Sequence, residues 1–187
     1  DITDASGAAQ LVAETLALGA GLDVLVPAAG AYDASPLEAI VGHDWDRIQA
    51  VNVKGTFLTA QAALRAMMPA RSGSIVTLGS IAGQVGGVQS GAGYATSKAA
   101  VLGMTKALAR AAGPYGIRVN CVSPGFIEAG MSLGITPKDR ERTIGMTPLA
   151  RPGTADEVAS AVLWLASDAA SFVTGAHLDV NGGLFRA

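Results

Sequence analysis

The residues best suited to chemistry in this sequence are a tyrosine and a lysine four positions apart. Tyr94 and Lys98 lie in the stretch GYATSKAAVLGMTKALA, which otherwise consists mainly of small and apolar residues. This composition predicts a buried or interface-facing helix, on which residues i and i+4 share one face. An ammonium group beside a phenol stabilises the phenolate and lowers the phenol pKa from its ordinary value of about 10. The pair could therefore act as an acid–base unit, although a lysine that extends over a half-buried tyrosine also explains the spacing.

The composition indicates one domain, 1–187, and argues against several classes of partner. Half of the residues are hydrophobic, 15% are charged and the formal net charge is −2. Because the pI is about 5.6 and Lys and Arg are scattered, we expect no nucleic-acid partner and no anionic-membrane partner. The single Cys121 precludes an internal disulfide and fits a reducing compartment. No apolar run approaches the roughly 20 residues that span a bilayer, and no signal peptide is recognised, so we expect a cytoplasmic protein.

Predicted strands and helices alternate along the chain. The expected strands are 22–26, 74–80, 117–122 and 176–180, and the expected helices are 8–21, 44–68, 93–112 and 156–167. Steady alternation predicts an α/β fold in which a parallel sheet carries helices on both faces, as three α/β/α layers. In such sheets a ligand binds beyond the carboxyl ends of the strands.

Small residues and glycines follow three of these strands, in the segments PAAG (27–30), GSIAG (79–83) and SPGFIEAG (123–130). Each segment alone is a tight turn, but three at one sheet edge favour a cleft where the backbone approaches a ligand closely. Ser80 lies at one of these strand ends. Asn52 lies in the middle of the long predicted helix, where asparagine is unfavourable, and a solvated or capping side chain would also explain it.

The order of these features resembles the classical short-chain dehydrogenase/reductase family. The features are the N-x-x-G sequence at 52–55, a strand-end serine, Y-x-x-x-K at 94–98 and SPG at 123–125. The resemblance runs from Asp1 to Gly183, and the segment 151–175 is similar in particular to 3-oxoacyl-carrier-protein reductases and glucose dehydrogenase-like members. It implies a Rossmann-like, doubly wound parallel sheet.

The resemblance also implies a reaction, the transfer of a hydride between NAD(P)(H) and a small carbonyl or alcohol substrate. Tyr94 would be the general acid/base, and Lys98 would tune its phenol and hold the nicotinamide ribose. Ser80 would orient the substrate oxygen, and Asn52 would hold a water that links Lys98 to solvent. No metal is expected, because no other metal-ligating residues accompany His177 in the sequence.

Further residues are implied to bind the cofactor, which could be NAD or NADP. Asp1 would lie near the adenine, Ala29 and Gly30 near the adenosine, and Tyr94 and Lys98 at the nicotinamide ribose. The backbone of Pro124, Gly125 and Ile127 would lie at the nicotinamide itself. The family also pairs the two long helices across a two-fold axis, so the resemblance implies a homodimer or homotetramer.

Several departures from the family pattern bear on the cofactor. The chain begins at Asp1 without the glycine-rich G-x-x-x-G-x-G turn, so we expect a fold missing the first two strand–helix units. Without that turn, dinucleotide binding is expected to be no tighter than about millimolar. Pro27 and Ala28 replace the two asparagines of the family's N-N-A-G, and Ala129 stands where a threonine is common. Two alternatives remain open: a cofactor-independent acid–base or hydrolytic enzyme, and a non-catalytic family member.

Overall fold

The computed structural model describes residues 1–19, 21–87 and 90–186. Within these ranges the α-helices are α1 (Ala5–Ala17), α2 (Gly42–Gln49), α3 (Thr56–Met67), α4 (Ala82–Val85), α5 (Ala92–Ala112), α6 (Pro137–Met146) and α7 (Ala155–Ala166). The strands are β1 (Val24–Leu25), β2 (Gly73–Leu78), β3 (Ile117–Pro124) and β4 (His177–Val180). A π-helical turn covers Ala50–Gly55, and short 3₁₀ turns cover Leu37–Ala39, Gly113–Tyr115, Gly130–Gly134 and Asp168–Ala170.

The four strands form one parallel sheet in the order β1-β2-β3-β4, which confirms the predicted parallel architecture. Strand β1 is shorter than the predicted 22–26. The carbonyl oxygen of Asp23 still accepts a hydrogen bond from Ser74 N at 2.9 Å. At the other end Pro27 carries no N–H and cannot extend the ladder, so the chain leaves the sheet there.

Helices cover both faces of the sheet, as the alternating pattern predicts. Helix α5 packs on β2 and β3 from one side, with α3 beside it and α1 against α3, and α7 packs on β2, β3 and β4 from the other. The adjacent residues Ile75 and Val76 are both fully buried but belong to the two different core clusters. The central strands are therefore covered on both faces. Among the described helices, none is both long enough and apolar enough to cross a membrane.

The predicted single helix 44–68 is wrong in one respect, because a π-helical turn interrupts it between α2 and α3. Asn52 lies in this turn and is 1% exposed. A π turn re-aims the side chains around it and is common near functional residues. Gly55 closes the turn, and a Cβ there would lie 2.7 Å from the Cδ1 atom of Ile2. Glycine at this position therefore leaves room for the Ile2 side chain.

Gly83 brings α4 against α5 beside Lys98. A Cβ on Gly83 would lie 2.6 Å from both Ala99 N and the carbonyl carbon of Lys98, which are backbone atoms that cannot rotate away. We expect Gly83→Ala to lower the free energy of unfolding by about 1–3 kcal/mol, because the two helices must move apart.

Urea unfolding of Gly83→Ala measures this cost, with Gly103→Ala as the matched control. Gly103 lies on the same helix α5, and a Cβ there would meet no atom within 4 Å, so alanine should stabilise the chain by up to about 1 kcal/mol. A Gly83→Ala chain as stable as the Gly103→Ala chain would contradict the close contact.

Candidate active site

Helix α5 presents Tyr94 and Lys98 on one face, as their spacing predicts. The helix begins at Ala92 with Gly91 as its N-cap, so both residues lie in its first two turns. The Nζ atom of Lys98 lies 5.6 Å from the centroid of the Tyr94 ring. Lys98 is only 8% exposed, and its Nζ donates a hydrogen bond of 2.8 Å to the carbonyl oxygen of Leu78. Because Leu78 ends β2, this bond attaches the ammonium to the carboxyl edge of the sheet.

Ser80 follows β2 at the same edge and lies close enough to the Tyr94 phenol to influence its pKa. The Oγ atom of Ser80 accepts a hydrogen bond of 3.1 Å from Ala82 N, at the start of α4. This bond limits where the serine hydroxyl can point. The structure thus brings Ser80, Tyr94 and Lys98 together, although 18 positions separate Ser80 from Lys98 in the sequence.

The pKa of the Tyr94 phenol is raised above its ordinary value. Burial is the largest cause; the Ser80 hydrogen bond acts in the opposite direction, and the nearby Tyr32 raises the pKa further. The sequence predicted a pKa lowered by Lys98, and this direction is wrong. Burial also lowers the pKa of Lys98, whose ammonium is directed to the Leu78 carbonyl. Burial therefore disfavours the charged form of each group, and the phenol retains its proton at neutral pH.

Asn52 is neither solvated nor a helix cap. Its Oδ1 accepts from Ala31 N at 2.7 Å, and its Nδ2 donates to Ala31 O at 2.9 Å and to the Oγ atom of Ser97 at 2.9 Å. Both amide hydrogens are used, and the side chain ties the loop after β1 to helix α5 next to Lys98. This positioning role could not be read from the sequence, while the water-holding role stays a prediction.

The residues expected at the cofactor lie in part at the carboxyl edge of the sheet. Ala29 and Gly30 follow β1, and Ala29 is exposed. Asp1 is exposed and its carboxylate accepts hydrogen bonds of 2.8 and 2.9 Å from N and Oγ1 of Thr3. A nucleotide contact at Asp1 would therefore use a carboxylate that already holds the first turn of the chain.

The turn after β3 is held on two sides. Pro124 O accepts from Ile81 N at 3.1 Å, next to Ser80, and Gly125 N donates to Val180 O at 3.0 Å. A Cβ on Gly125 would lie 2.7 Å from Asn181 Cα, so only glycine fits this approach. Ile127 continues the turn in a parallel bridge with Gly153. The turn expected at the nicotinamide is therefore hydrogen-bonded directly to the segment that carries Ser80.

Comparison with known proteins gives the family. The sequence model described as enoyl-(acyl carrier protein) reductase matches residues 1–185. The chain belongs to the short-chain dehydrogenase/reductase family. The resemblance inferred from the four motifs is therefore confirmed, and so is the α/β Rossmann-like fold.

Similar proteins share most of this chain but are longer than it. The (3R)-3-hydroxyacyl-CoA dehydrogenase of Rattus norvegicus is 42% identical over 163 residues, covering 87% of this chain and 62% of the relative. The 3-oxoacyl-[acyl-carrier-protein] reductase FabG of Escherichia coli strain K12 is 38% identical over 186 residues, covering 99% of this chain and 75% of the relative. The crystal structure of 3-oxoacyl-[acyl-carrier protein] reductase from Brucella melitensis superposes with a TM-score of 0.92 at 38% identity. The superposition covers all of this chain and 70% of the Brucella melitensis chain.

This short-chain dehydrogenase/reductase also carries a polar network that the sequence analysis did not assign. His177 Nε2 contacts the Oγ atom of the fully buried Ser123 and lies 3.5 Å from Asp179 Oδ1. Gln84 Nε2 donates to the same Asp179 oxygen at 2.7 Å. Two features of β4 could have indicated this network. His177 and Asp179 are two positions apart and so share one face of the strand, and Asp179 pairs in register with Ser123. In the described ranges, no three His, Cys, Asp or Glu side chains are placed to hold a metal ion.

The stability of this family member should depend on the protonation of His177. Burial is the largest cause that lowers the pKa of His177 below its ordinary 6.5; Lys106 also lowers it, and Asp179 opposes them. The unfolded chain therefore binds the proton more readily than the folded chain. Above the pKa that His177 has in the unfolded chain, its titration does not reduce the free energy of unfolding. Below that pKa, the unfolded chain takes up the proton first and the free energy of unfolding decreases. We expect the free energy of unfolding to decrease as the pH falls below about 6.5, the ordinary pKa of histidine.

Urea unfolding at several pH values tests this dependence, and His177→Gln should flatten it. His43→Gln is the control, because the His43 side chain is 87% exposed. A wild-type slope that persists in His177→Gln and disappears in His43→Gln would contradict the assignment.

Proposed function

We propose that this chain transfers a hydride between NAD(P)(H) and a carbonyl or alcohol substrate, with Tyr94 as the general acid/base. The observation that carries the proposal is the placement of Lys98 beside the Tyr94 ring at the carboxyl edge of the sheet, where Ser80 follows β2 and influences the Tyr94 phenol. A serine and a tyrosine hydroxyl at one point can bind one oxygen atom of a substrate from two directions. Membership of the family supports this reading of the geometry.

When bound, the cofactor would supply a hydride to the carbonyl carbon in the direction of reduction, and the residues of this chain supply the proton. Ser80 Oγ donates a hydrogen bond to the carbonyl oxygen and fixes its position. The Tyr94 hydroxyl gives its proton to the same oxygen, so that the carbonyl becomes an alcohol and the phenol a phenolate. Because the pKa of Tyr94 is raised, the phenol carries its proton when the substrate arrives.

The site fits the nicotinamide half of a dinucleotide. An ammonium group has three N–H donors, and the Leu78 carbonyl takes one donor of Lys98. Lys98 can therefore donate to ribose hydroxyls while it stays bonded to the sheet. Pro124, Gly125 and Ile127 would present backbone groups to the nicotinamide, and Ala29 and Gly30 would lie along the adenosine. Asp1 would hold the adenine end.

The names of the relatives indicate which substrate to test first. One relative is named for a 3-hydroxyacyl-CoA and the other for a 3-oxoacyl group on acyl carrier protein. We therefore propose a 3-oxoacyl or 3-hydroxyacyl thioester as the substrate class of this chain.

We also propose a homodimer or homotetramer assembled on α3 and α5. Phe57 is 39% exposed and lines a largely apolar groove with Met104 and neighbouring residues of the π-helical turn. Four further apolar residues of these helices are buried in the chain itself and do not reach the proposed interface, namely Ala63, Met67, Val101 and Leu108. Light scattering at micromolar concentration tests the assembly, and a monomer would contradict it.

The function is tested by incubating the purified chain with NADH or NADPH and an acetoacetyl thioester, and by following the absorbance of the reduced nicotinamide. Calorimetry with each nucleotide measures binding separately. Turnover that depends on Tyr94 supports the proposal. A chain that binds neither nucleotide and converts no thioester contradicts it.

A further inference from the structure

The ring of Tyr32 lies beside the Tyr94 phenol at the candidate active site. The two ring centroids are 5.0 Å apart and the ring planes make an angle of 73°, which is an edge-to-face contact. Aromatic side chains prefer this arrangement, and it orients both rings. Tyr32 is 36% exposed, so it covers Tyr94 with part of its ring while the remainder faces solvent.

The backbone fixes Tyr32 on both sides. Before it, Ala31 N and Ala31 O are both hydrogen-bonded to the side chain of Asn52, at 2.7 and 2.9 Å. After it, Asp33 O accepts a hydrogen bond of 2.8 Å from Gly91 N. Gly91 is the N-cap of α5, the helix that carries Tyr94. The loop is therefore attached to the catalytic helix at its end and to the π-helical turn at its beginning.

The loop after Tyr32 is also internally ordered. The Oδ1 atom of Asp33 accepts hydrogen bonds from Ser35 N at 3.1 Å and from Ser35 Oγ at 2.7 Å. A Cβ on Gly91 would lie 2.8 Å from Asp33 Oδ2, so the loop and the start of α5 approach each other closely. Moving Tyr32 away from Tyr94 would break several of these contacts together.

We propose that Tyr32 is a specificity-determining residue, whose ring forms an aromatic wall beside the Tyr94 phenol against which one substituent of the reacting carbon packs. The proposal rests on the proposed function. A substrate whose oxygen binds Tyr94 and Ser80 must place its substituents beside that phenol, and the Tyr32 ring occupies one side. The wall favours a carbonyl carbon that bears one small substituent, such as methyl, and disfavours a branched substituent.

The electrostatics of the two phenols agree with this wall. Burial is the main cause that raises the pKa of Tyr94, and Tyr32 raises it further. The pKa of Tyr32 is itself raised, first by burial and then by the charge of Asp33. Removing the Tyr32 ring should therefore admit water to Tyr94 and lower its pKa.

The specificity is tested with a substrate pair, an acetoacetyl thioester and its analogue with a tert-butyl group in place of the terminal methyl. Tyr32→Ala should raise kcat/KM for the tert-butyl substrate relative to the methyl substrate by about tenfold or more. Tyr32→Phe keeps the ring and should keep the wild-type ratio. Tyr115→Ala is the matched control, because Tyr115 is 38% exposed and lies in the turn after α5. A ratio that Tyr32→Ala leaves unchanged overturns the proposal.

A second measurement does not need turnover. The chain has three tyrosines, so nuclear magnetic resonance of protein with tyrosine isotopically labelled at Cζ can follow Tyr94 directly. In Tyr32→Ala the Tyr94 resonance should titrate at lower pH than in the wild type, whereas Tyr115→Ala should leave it unchanged. If the Tyr94 resonance titrates at the same pH in Tyr32→Ala as in the wild type, the proposal of an aromatic wall at Tyr32 is overturned. Failure of the proposed function looks different, since the wild-type chain would then convert neither substrate.

Discussion

Replacing Tyr94 by phenylalanine should lower turnover by about 10²–10⁴-fold while the chain stays folded. The substitution removes the hydroxyl that gives the proton to the substrate oxygen, and positioned general acid–base groups typically contribute this much. The ring, its contact with Tyr32 and its burial are all retained. The interaction of the hydroxyl with Ser80 is lost, which should cost at most about 0.5–1.5 kcal/mol of stability.

Steady-state kinetics and urea unfolding of Tyr94→Phe measure the two effects separately. Tyr115→Phe is the control, since it removes a phenol hydroxyl away from the site. If Tyr94→Phe turned over substrate at the wild-type rate, the general acid/base would have to be another group.

The sequence predicted the sheet and the placement of three site residues because those features depend on local pattern. Strands have a local sequence pattern, and the alternation of Ile117, Val119 and Cys121 with their neighbours located β3. The four-residue spacing of Tyr94 and Lys98 fixes a common helix face whatever packs around it. Ser80 was placed because a serine directly after a parallel strand must lie at the ligand edge.

The contacts of Asn52 could not be predicted, because its partner Ala31 is 21 positions away in a loop without periodicity. The amide needed a π-helical turn to reach that loop, and a turn of this kind has no reliable sequence signal. The same limit applies to Tyr32, which follows Ala31. No motif includes it, and it meets Tyr94 only because Asn52 and Gly91 hold the loop on both sides.

The direction of the Tyr94 pKa was wrong for a different reason. From sequence, Lys98 was the nearest charge and its effect could be given a sign, but the depth of burial could not be known. In the structure, desolvation of the phenol is the larger effect. The ammonium is also directed to the Leu78 carbonyl, a partner that the spacing of side chains does not reveal.

Lys98→Met should therefore act mainly on nucleotide binding. Two charge-assisted hydrogen bonds to ribose hydroxyls would be lost, at roughly 1.5–3 kcal/mol each, so we expect the weak affinity for NAD(H) or NADP(H) to fall by at least about 10²-fold, to a level at which calorimetry detects no binding. The fold should persist, because Lys98 is buried with its pKa lowered by desolvation, and methionine avoids that desolvation while filling a similar volume. Calorimetry and urea unfolding measure both effects, with the exposed Lys138→Met on α6 as control.

The pH profile of the same variant decides between the two roles given to Lys98. If the ammonium lowered the pKa of the Tyr94 phenol, its removal would move the pH optimum of alcohol oxidation upward by about one unit, since that direction needs the phenolate. In the structure, burial, Ser80 and Tyr32 instead set the pKa of Tyr94. We therefore expect Lys98→Met to weaken nucleotide binding and to leave the pH optimum of alcohol oxidation unchanged. An optimum that moves upward with unchanged nucleotide affinity would show that Lys98 tunes the phenol and does not hold the ribose.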